Sequence, residues 1–375
     1  MTVRRVRPAG RGSAGGGTGS AGGGTGSARS GKVRTARLTD LAALGELSRL
    51  AQAHSDGTRS LGLPLSGPPI GVFSLFRLPL GAFRPHDQLY VFEHEGRLGG
   101  LLRVERDTHR DEWTIVELDA VGHGDAGDIR YRLVQHLLRD GQKRGAARLH
   151  VACADADGNV DLFMQAGFAR YGDEHILFRP STSELPDPFA DEEAVAARIR
   201  PVQPIDALAL SRLYAEATPP PVQRLEMYRL PDWERQGQQF RIPRSSLAPI
   251  LRFADVEAHV QASVDGGADG TQLDAFAQIG VAKEDQPHYV KLIVRPGADA
   301  STIARFALGV ICARIERAGS NHHDQGVVAP VRTYESPVDR RLEELGFEGV
   351  AAVTLLMKET LVRVAEPALV PAGVR

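Results

Sequence analysis

The stretch Pro287–Gly319, PHYVKLIVRPGADASTIARFALGVICARIERAG, decides the fold. Its first part alternates, with Tyr289, Leu292 and Val294 as apolar positions, and it breaks at Arg295-Pro296-Gly297. Beyond the break, Ile303, Phe306, Ala307, Val310 and Ile311 recur at helical spacing and make one apolar stripe. Asp299, Ser301 or Thr302 can cap the first turn. A strand that runs through a short Gly-containing loop into a helix N-terminus offers backbone N–H groups to an anion. Next comes a strand, Gly326–Val331, and a short helix, Val338–Leu345, closed by Gly346-Phe347. A Gly there supplies the left-handed residue that ends a helix.

Working outward, the same order of elements occurs twice. Val33–Asp40 opens into a helix with Leu41, Leu44, Leu47 and Leu50, and Ile199–Asp206 opens into one with Leu208, Leu210 and Leu213. Gln88–Arg103 reads as a hairpin turning at Glu95-Gly96, and its counterpart is His259–Val264, a Gly-rich turn to Thr271, and Leu273–Val281. Third strands follow at Trp113–Val121 and Tyr289–Val294, then long helices at Ile129–Arg144 and Thr302–Ala318. Each copy ends with a strand (Leu149–Cys153; Val327–Val331) and a short helix closing on Gly167-Phe168 or Gly346-Phe347. The reading is therefore a Gly/Ser/Arg-rich tail at 1–32, one unit at 33–180, a linker at 181–196, a second unit at 197–364 and a tail at 365–375.

This order, with Val294-Arg295-Pro296, Ala304 and Leu345-Gly346-Phe347, resembles the GNAT (GCN-related N-acetyltransferase-like) superfamily in tandem form. The resemblance implies an α/β fold of α+β type: two tandem domains, each a twisted, mostly antiparallel mixed sheet flanked by helices. It also implies transfer of an acyl group from acetyl-CoA, as co-substrate, to a small-molecule or peptide amine. Carried onto the second unit, the pantetheine arm would lie on the backbone of Ile293, Val294 and Arg295. The pyrophosphate would take the turn Asp299, Ala300, Ser301, Thr302, Ile303, Ala304 and Arg305.

The match is incomplete. The family's (Arg/Gln)-x-x-Gly-x-(Gly/Ala) falls on Asp125-Ala-Gly-Asp-Ile-Arg130 in the first copy and Asp299-Ala-Ser-Thr-Ile-Ala304 in the second. An Asp at that place caps the helix well but repels a diphosphate. Four residues before each closing Gly, where the family often has a Tyr, stand Phe163 and Leu342, which carry no proton to give. Tyr334 is the replacement acid and Glu335 beside it the second candidate catalytic residue. Glu117 and Asp119 on the first unit's third strand read more simply as a solvent-facing pair, and Lys291 holds the comparable place in the second. The alternative reading is an inactive GNAT-fold binding or scaffold protein that has lost acetyl-CoA.

Between first helix and hairpin, each copy carries a long irregular segment, Gly57–His86 and Pro219–Pro249, containing Arg77-Leu-Pro79 and Arg229-Leu-Pro231. Met227, Tyr228, Trp233 and Phe240 are expected to form an apolar acceptor wall there. The 45 basic and 47 acidic residues give no reason for nucleic acid or an anionic membrane as partner. Cys153 and Cys312, far apart, suggest neither a disulfide framework nor a Cys-based metal site, and a cytoplasmic protein is expected. His322-His323-Asp324 lacks metal-ligand spacing, so no metal is expected.

Overall fold

The computed structural model describes residues 31–40, 42–47, 87–107, 109–121, 126–155, 158–182, 198–235, 242, 244–251, 253–264, 272–282, 286–318 and 325–360. Twelve strands form one sheet among these residues. From the first half come β1 (Lys32–Thr35), β2 (Asp87–His94), β3 (Arg97–Asp107), β4 (Glu112–Ala120), β5 (Arg148–Cys153) and β6 (Ala169–Arg179). The second half supplies β7 (Ile199–Pro201), β8 (Phe253–Ala262), β9 (Leu273–Ala282), β10 (His288–Val294), β11 (Val327–Arg332) and β12 (Glu348–Glu359). The hairpin read at Glu95-Gly96 is there, with both residues at positive φ (49° and 75°), the pair a two-residue turn of matching twist requires.

Seven helices are used below. They are α1 (Ala126–Lys143), α2 (Asn159–Gln165), α3 (Ala207–Ala217), α4 (Pro220–Glu226), α5 (Leu230–Glu234), α6 (Ser301–Ala318) and α7 (Ser336–Glu344). On one face of the sheet, Ile129, Leu133 and Leu137 of α1 pack on Trp113, Ile115 and Val151. On the same face of the second half, Ile303, Ala307 and Ile311 of α6 pack on Val290, Leu292 and Ala329. On the other face, Leu210 and Leu213 of α3 and Trp233 of α5 meet Val260, Phe276 and Ile293. Leu247 and Leu251 there lie on Ile176, Tyr289, Val328 and Val353.

The duplicated halves are joined in a way their repetition does not announce. The strand order is β1-β2-β3-β4-β5-β12-β6-β11-β10-β9-β8-β7, so each half's final strand sits beside the other half's fifth strand. β12 pairs with β5 from Thr354↔Cys153 to Glu359↔Arg148, and β6 pairs with β11 from Val327↔Arg179 to Arg332↔Glu174. β6 and β12 pair with each other between them. The exchange needs close backbone approach at Gly326 (φ 67°), where a Cβ would stand 2.5 Å from the Arg179 carbonyl oxygen.

The segment expected to be irregular at Pro219–Pro249 is partly helical. Pro220 and Pro231 stand in the first turns of α4 and α5, where a missing N–H costs nothing. Asp232 there accepts from the Arg229 N–H at 2.8 Å. The segment Gly57–His86, Asp125, Phe240 and His322–Asp324 lie outside the described residues.

Candidate active site at the second strand split

β10 runs beside β9 from Tyr289 to Val294 but touches β11 only at His288↔Val327 and Tyr289↔Val328. Beyond that point the two parallel strands part. Alternation along β10 sends Val290 and Leu292 under α6 and leaves Tyr289, Lys291 and Ile293 on the opposite face. Lys291 is 1% exposed. Its Nζ donates to Glu335 Oε2 at 2.7 Å and to the Pro330 carbonyl at 3.1 Å, so it ties one parting strand to the other. Glu335 Oε2 also accepts the Arg332 backbone N–H at 2.8 Å. A buried ammonium is tolerable only with such partners.

Tyr334, next in chain, is half-buried. Burial pushes its hydroxyl well above the usual tyrosine range; Arg332 works against that, and Glu335 and Glu226 add to it. The group thus stays protonated at neutral pH, and its proton is held more tightly than in a free tyrosine. Behind it, Arg332 is held 3.0 Å from Glu226 Oε1 through Nη2 and 3.1 Å from Glu174 Oε2 through Nε. Tyr214 donates to Glu226 Oε2 at 2.5 Å.

At the mouth of the split, the Arg295 N–H donates to the Asp274 carbonyl at 2.8 Å and its guanidinium to Asp274 Oδ1 at 2.6 Å. Gly297 turns the chain at φ 87°, with open space where a side chain would point. Asp299 Oδ1 accepts the Ser301 N–H at 3.1 Å and stands 3.7 Å from Arg341 Nε. Ala300 just before α6 and Ile303 and Ala304 within it are buried in the core, Ser301 and Thr302 are half-buried, and Arg305 is exposed. Ile293 is buried and Val294 half-buried at the strand's end.

The expected pair Tyr334 and Glu335 therefore lies at the split together with Lys291. The expected apolar wall does not form as read: Trp233 is 1% exposed and stacks edge-on with Tyr228 and, tilted, with Tyr214, in the core. Met227 is exposed instead. Glu117, expected to face solvent, is buried and pairs with Arg103 at 3.1 Å. Arg332, Glu174 and Glu226 were not singled out from sequence. The available clue was Arg332 two residues after Pro330, on the strand face opposite Ala329 and Val331.

The first half's split differs. β4 and β5 pair from Glu112↔Arg148 to Ile115↔Val151 before parting. Arg130, where the motif asks for a small residue, reaches across to Asn159 Oδ1 at 2.7 Å and links α1 to α2. Asp128 is exposed and pairs with Arg132 at 3.1 Å. Phe163 and Leu342 are core residues.

No protein-family model and no curated protein matches the chain. Solved structures do. A tandem GNAT protein from the clavulanic acid biosynthesis pathway, without AcCoA, aligns at TM-score 0.51 and 16% identity over 88% of this chain and 98% of its own. The chain is a tandem GNAT-fold protein. A GCN5-related N-acetyltransferase from Sphaerobacter thermophilus aligns at TM-score 0.51 and 15% identity over 88% of this chain and 95% of its own. A glucosamine N-acetyltransferase region of a fungal multi-domain GH3 β-N-acetylglucosaminidase aligns at TM-score 0.52 and 13% identity, over 88% and 38%. At such identities the likeness establishes the fold, and the GNAT fold accounts for both halves. Among the described residues, no helix is long and apolar enough to cross a membrane.

Proposed function

We propose that the protein is an acyl-CoA-dependent N-acyltransferase, probed first with acetyl-CoA, whose reaction site is the β10–β11 split. The supporting observation is the convergence there of a parting of parallel strands, the N-terminus of α6 beyond the end of β10 and a protonated tyrosine beyond the end of β11. The turn ahead of α6 leaves its approach unobstructed for acetyl-CoA. Gly297 leaves room at the turn, buried Ala304 adds no bulk, and the backbone of Ile293, Val294 and Arg295 ends beside the opening. Bound acetyl-CoA would supply the acyl thioester.

The chain's own groups then divide the work. The N–H groups of the first turn of α6, Ser301 to Ile303, hold phosphate oxygens, with Asp299 releasing the Ser301 N–H to them. The acceptor amine nitrogen bonds to the thioester carbon, the C–S bond breaks, Tyr334 gives its Oη proton to the departing sulfur, and the proton lost by the amine nitrogen restores the Tyr334 hydroxyl. Glu335 fixes Lys291 and the start of α7, and the ion pair sets the polarity around the incoming amine. Arg332, Glu226 and Glu174 hold the strand end that carries Tyr334. The acceptor is a small molecule or a peptide amine.

Two observations favour the second reading, a binding or scaffold protein without acyl transfer. Lys291 bridges the split, and Asp299 puts a negative charge at the helix N-terminus. Release of free thiol from acetyl-CoA, followed across a panel of amines, separates the two. The enzyme reading expects amine-dependent thiol release that falls about tenfold or more in Tyr334→Phe, the scale of a lost proton donor. No thiol release with any amine, in a protein that also fails to bind acetyl-CoA, supports the second reading.

A further inference from the structure

Tyr334 holds its proton more tightly than a free tyrosine, yet the step assigned to it requires that proton to leave. Burial is the largest cause of the tight hold, and Glu335 and Glu226 add to it. Arg332 and Thr218 act the other way. The Arg332 guanidinium is already engaged by Glu174 Oε2 at 3.1 Å, Glu226 Oε1 at 3.0 Å and the Arg244 carbonyl at 2.7 Å. Thr218 touches the acid itself, through a hydrogen bond between its side chain and that of Tyr334.

The backbone holds Thr218 in place for this contact. It is 5% exposed and ends α3 in an extended conformation, φ −114° and ψ 132°. Pro219, next in chain, restricts it to that region. Its N–H donates to the Tyr214 carbonyl at 3.0 Å, and its own carbonyl accepts from Gln223 Nε2 of α4 at 2.5 Å. Tyr214 donates to Glu226 Oε2 at 2.5 Å and Glu226 holds Arg332, so α3 and α4 are tied to the strand end that carries Tyr334.

A phenol oxygen has one proton to give and also accepts. A Thr218 hydroxyl that donates to this oxygen takes its accepting side, so the Tyr334 proton points away from α3. Once that proton has left, the same donor faces a phenolate. A hydrogen bond to a charged oxygen is roughly twice as strong as one to a neutral oxygen. Thr218 therefore contributes more after proton transfer than before it, and only such a difference speeds a step.

We propose that Thr218 is a positioning residue for acyl transfer, whose hydroxyl donates to Tyr334 Oη, turns the Tyr334 proton toward the departing sulfur and stabilises the phenolate left behind. The proton lost by the amine nitrogen then restores the Tyr334 hydroxyl. The role rests on the reading of the β10–β11 split as the reaction site.

The test measures thiol release from acetyl-CoA with a panel of alkylamines, in the full chain. Thr218→Val keeps the branched shape that suits extended backbone and removes the hydroxyl, whereas Thr218→Ser keeps the hydroxyl. Thr218→Val should lower kcat about tenfold with KM unchanged, the scale of one hydrogen bond to a charged group, and Thr218→Ser should recover most of it. Added to Tyr334→Phe, Thr218→Val should bring no further fall, because it acts through Tyr334. Apart from catalysis, the Tyr334 Cζ resonance in a tyrosine-labelled sample, identified by its loss in Tyr334→Phe, should move in Thr218→Val and return in Thr218→Ser. Ile250→Trp, at the first half's split, should change none of these readouts. Unchanged kcat in Thr218→Val, an equal fall in the Val and Ser variants, a further fall on the Tyr334→Phe background or an unmoved resonance overturns the role. No thiol release by the natural protein defeats the acyl-transfer reading and this role with it; release that Thr218→Val leaves unchanged defeats the role alone.

Discussion

The two strand splits are copies of one design that have been filled in different ways. In the second half, Lys291 from β10 spans the opening to Pro330 and Glu335, and the cation and its acid belong to the same half. In the first, Arg244 arrives from the other half, pairs with Glu112, and leaves a cleft beside His150. A strand split is a gap in backbone pairing, and each split holds an internal cation with a buried carboxylate beside it. The second half keeps a small residue, Ala304, where the first has Arg130 locked to Asn159. That difference puts the acyl-CoA proposal on the second half.

The largest effect should come from removing what the halves share. A chain ended at Gly346 loses β12, and with it the partner of β5 from Thr354↔Cys153 onward. Both halves should lose cooperative unfolding, read as loss of amide protection in β5 as well as β11. Intact protection of β5 would mean that the halves stand independently.

Next in size is the latch. Lys291→Met leaves Glu335 buried without its cation and should destabilise by about 3–5 kcal/mol in chemical denaturation. Lys291→Met with Glu335→Gln should recover most of this, because no charge is then left unpaired. An equal loss in single and double variants would show that Lys291 acts by packing alone.

The pH dependence sharpens the contrast from the first half's side. In the unfolded chain the imidazole gains a proton as pH falls through about 6.5, whereas buried His150 stays neutral to lower pH. The unfolded state therefore binds more protons there, and stability falls as pH drops below about 6.5, by up to about 1.4 kcal/mol per pH unit. His136 and His259, also lowered by burial, add to the same slope. Denaturant midpoints at several pH values should show a shallower slope in His150→Phe, and an unchanged slope would contradict the buried neutral state.

The smallest structural effect is expected at Asp299. Asp299→Arg removes an exposed cap and should cost about 0.5–1 kcal/mol. Any acetyl-CoA affinity should rise, because a like charge has left the helix N-terminus.

Much of the fold was legible in the sequence because it is carried by local periodicity. The stripe Ile303–Ile311 is α6, and Glu95-Gly96 is the turn, as their spacing requires. The exchange of β6 and β12 was not legible. Phe168 and Phe347 introduce final strands of the same pattern, and alternation fixes which face a strand buries, not which neighbour it joins. The helices α4 and α5 were hidden by their prolines, which read as breaks until their first-turn positions are known. At the candidate site, the position of Tyr334 and Glu335 just after the fifth strand was legible. The network of Arg332, Glu226 and Glu174 was not, since it joins residues 106 and 158 positions apart.

Calorimetric titration of acetyl-CoA tests the central claim most directly, in the natural protein, in Ala304→Trp and in Ile250→Trp. The account predicts saturable binding that Ala304→Trp abolishes and Ile250→Trp leaves unchanged, which would place the acyl donor at the β10–β11 split. Binding lost in Ile250→Trp and kept in Ala304→Trp, or no heat at millimolar ligand, would contradict it.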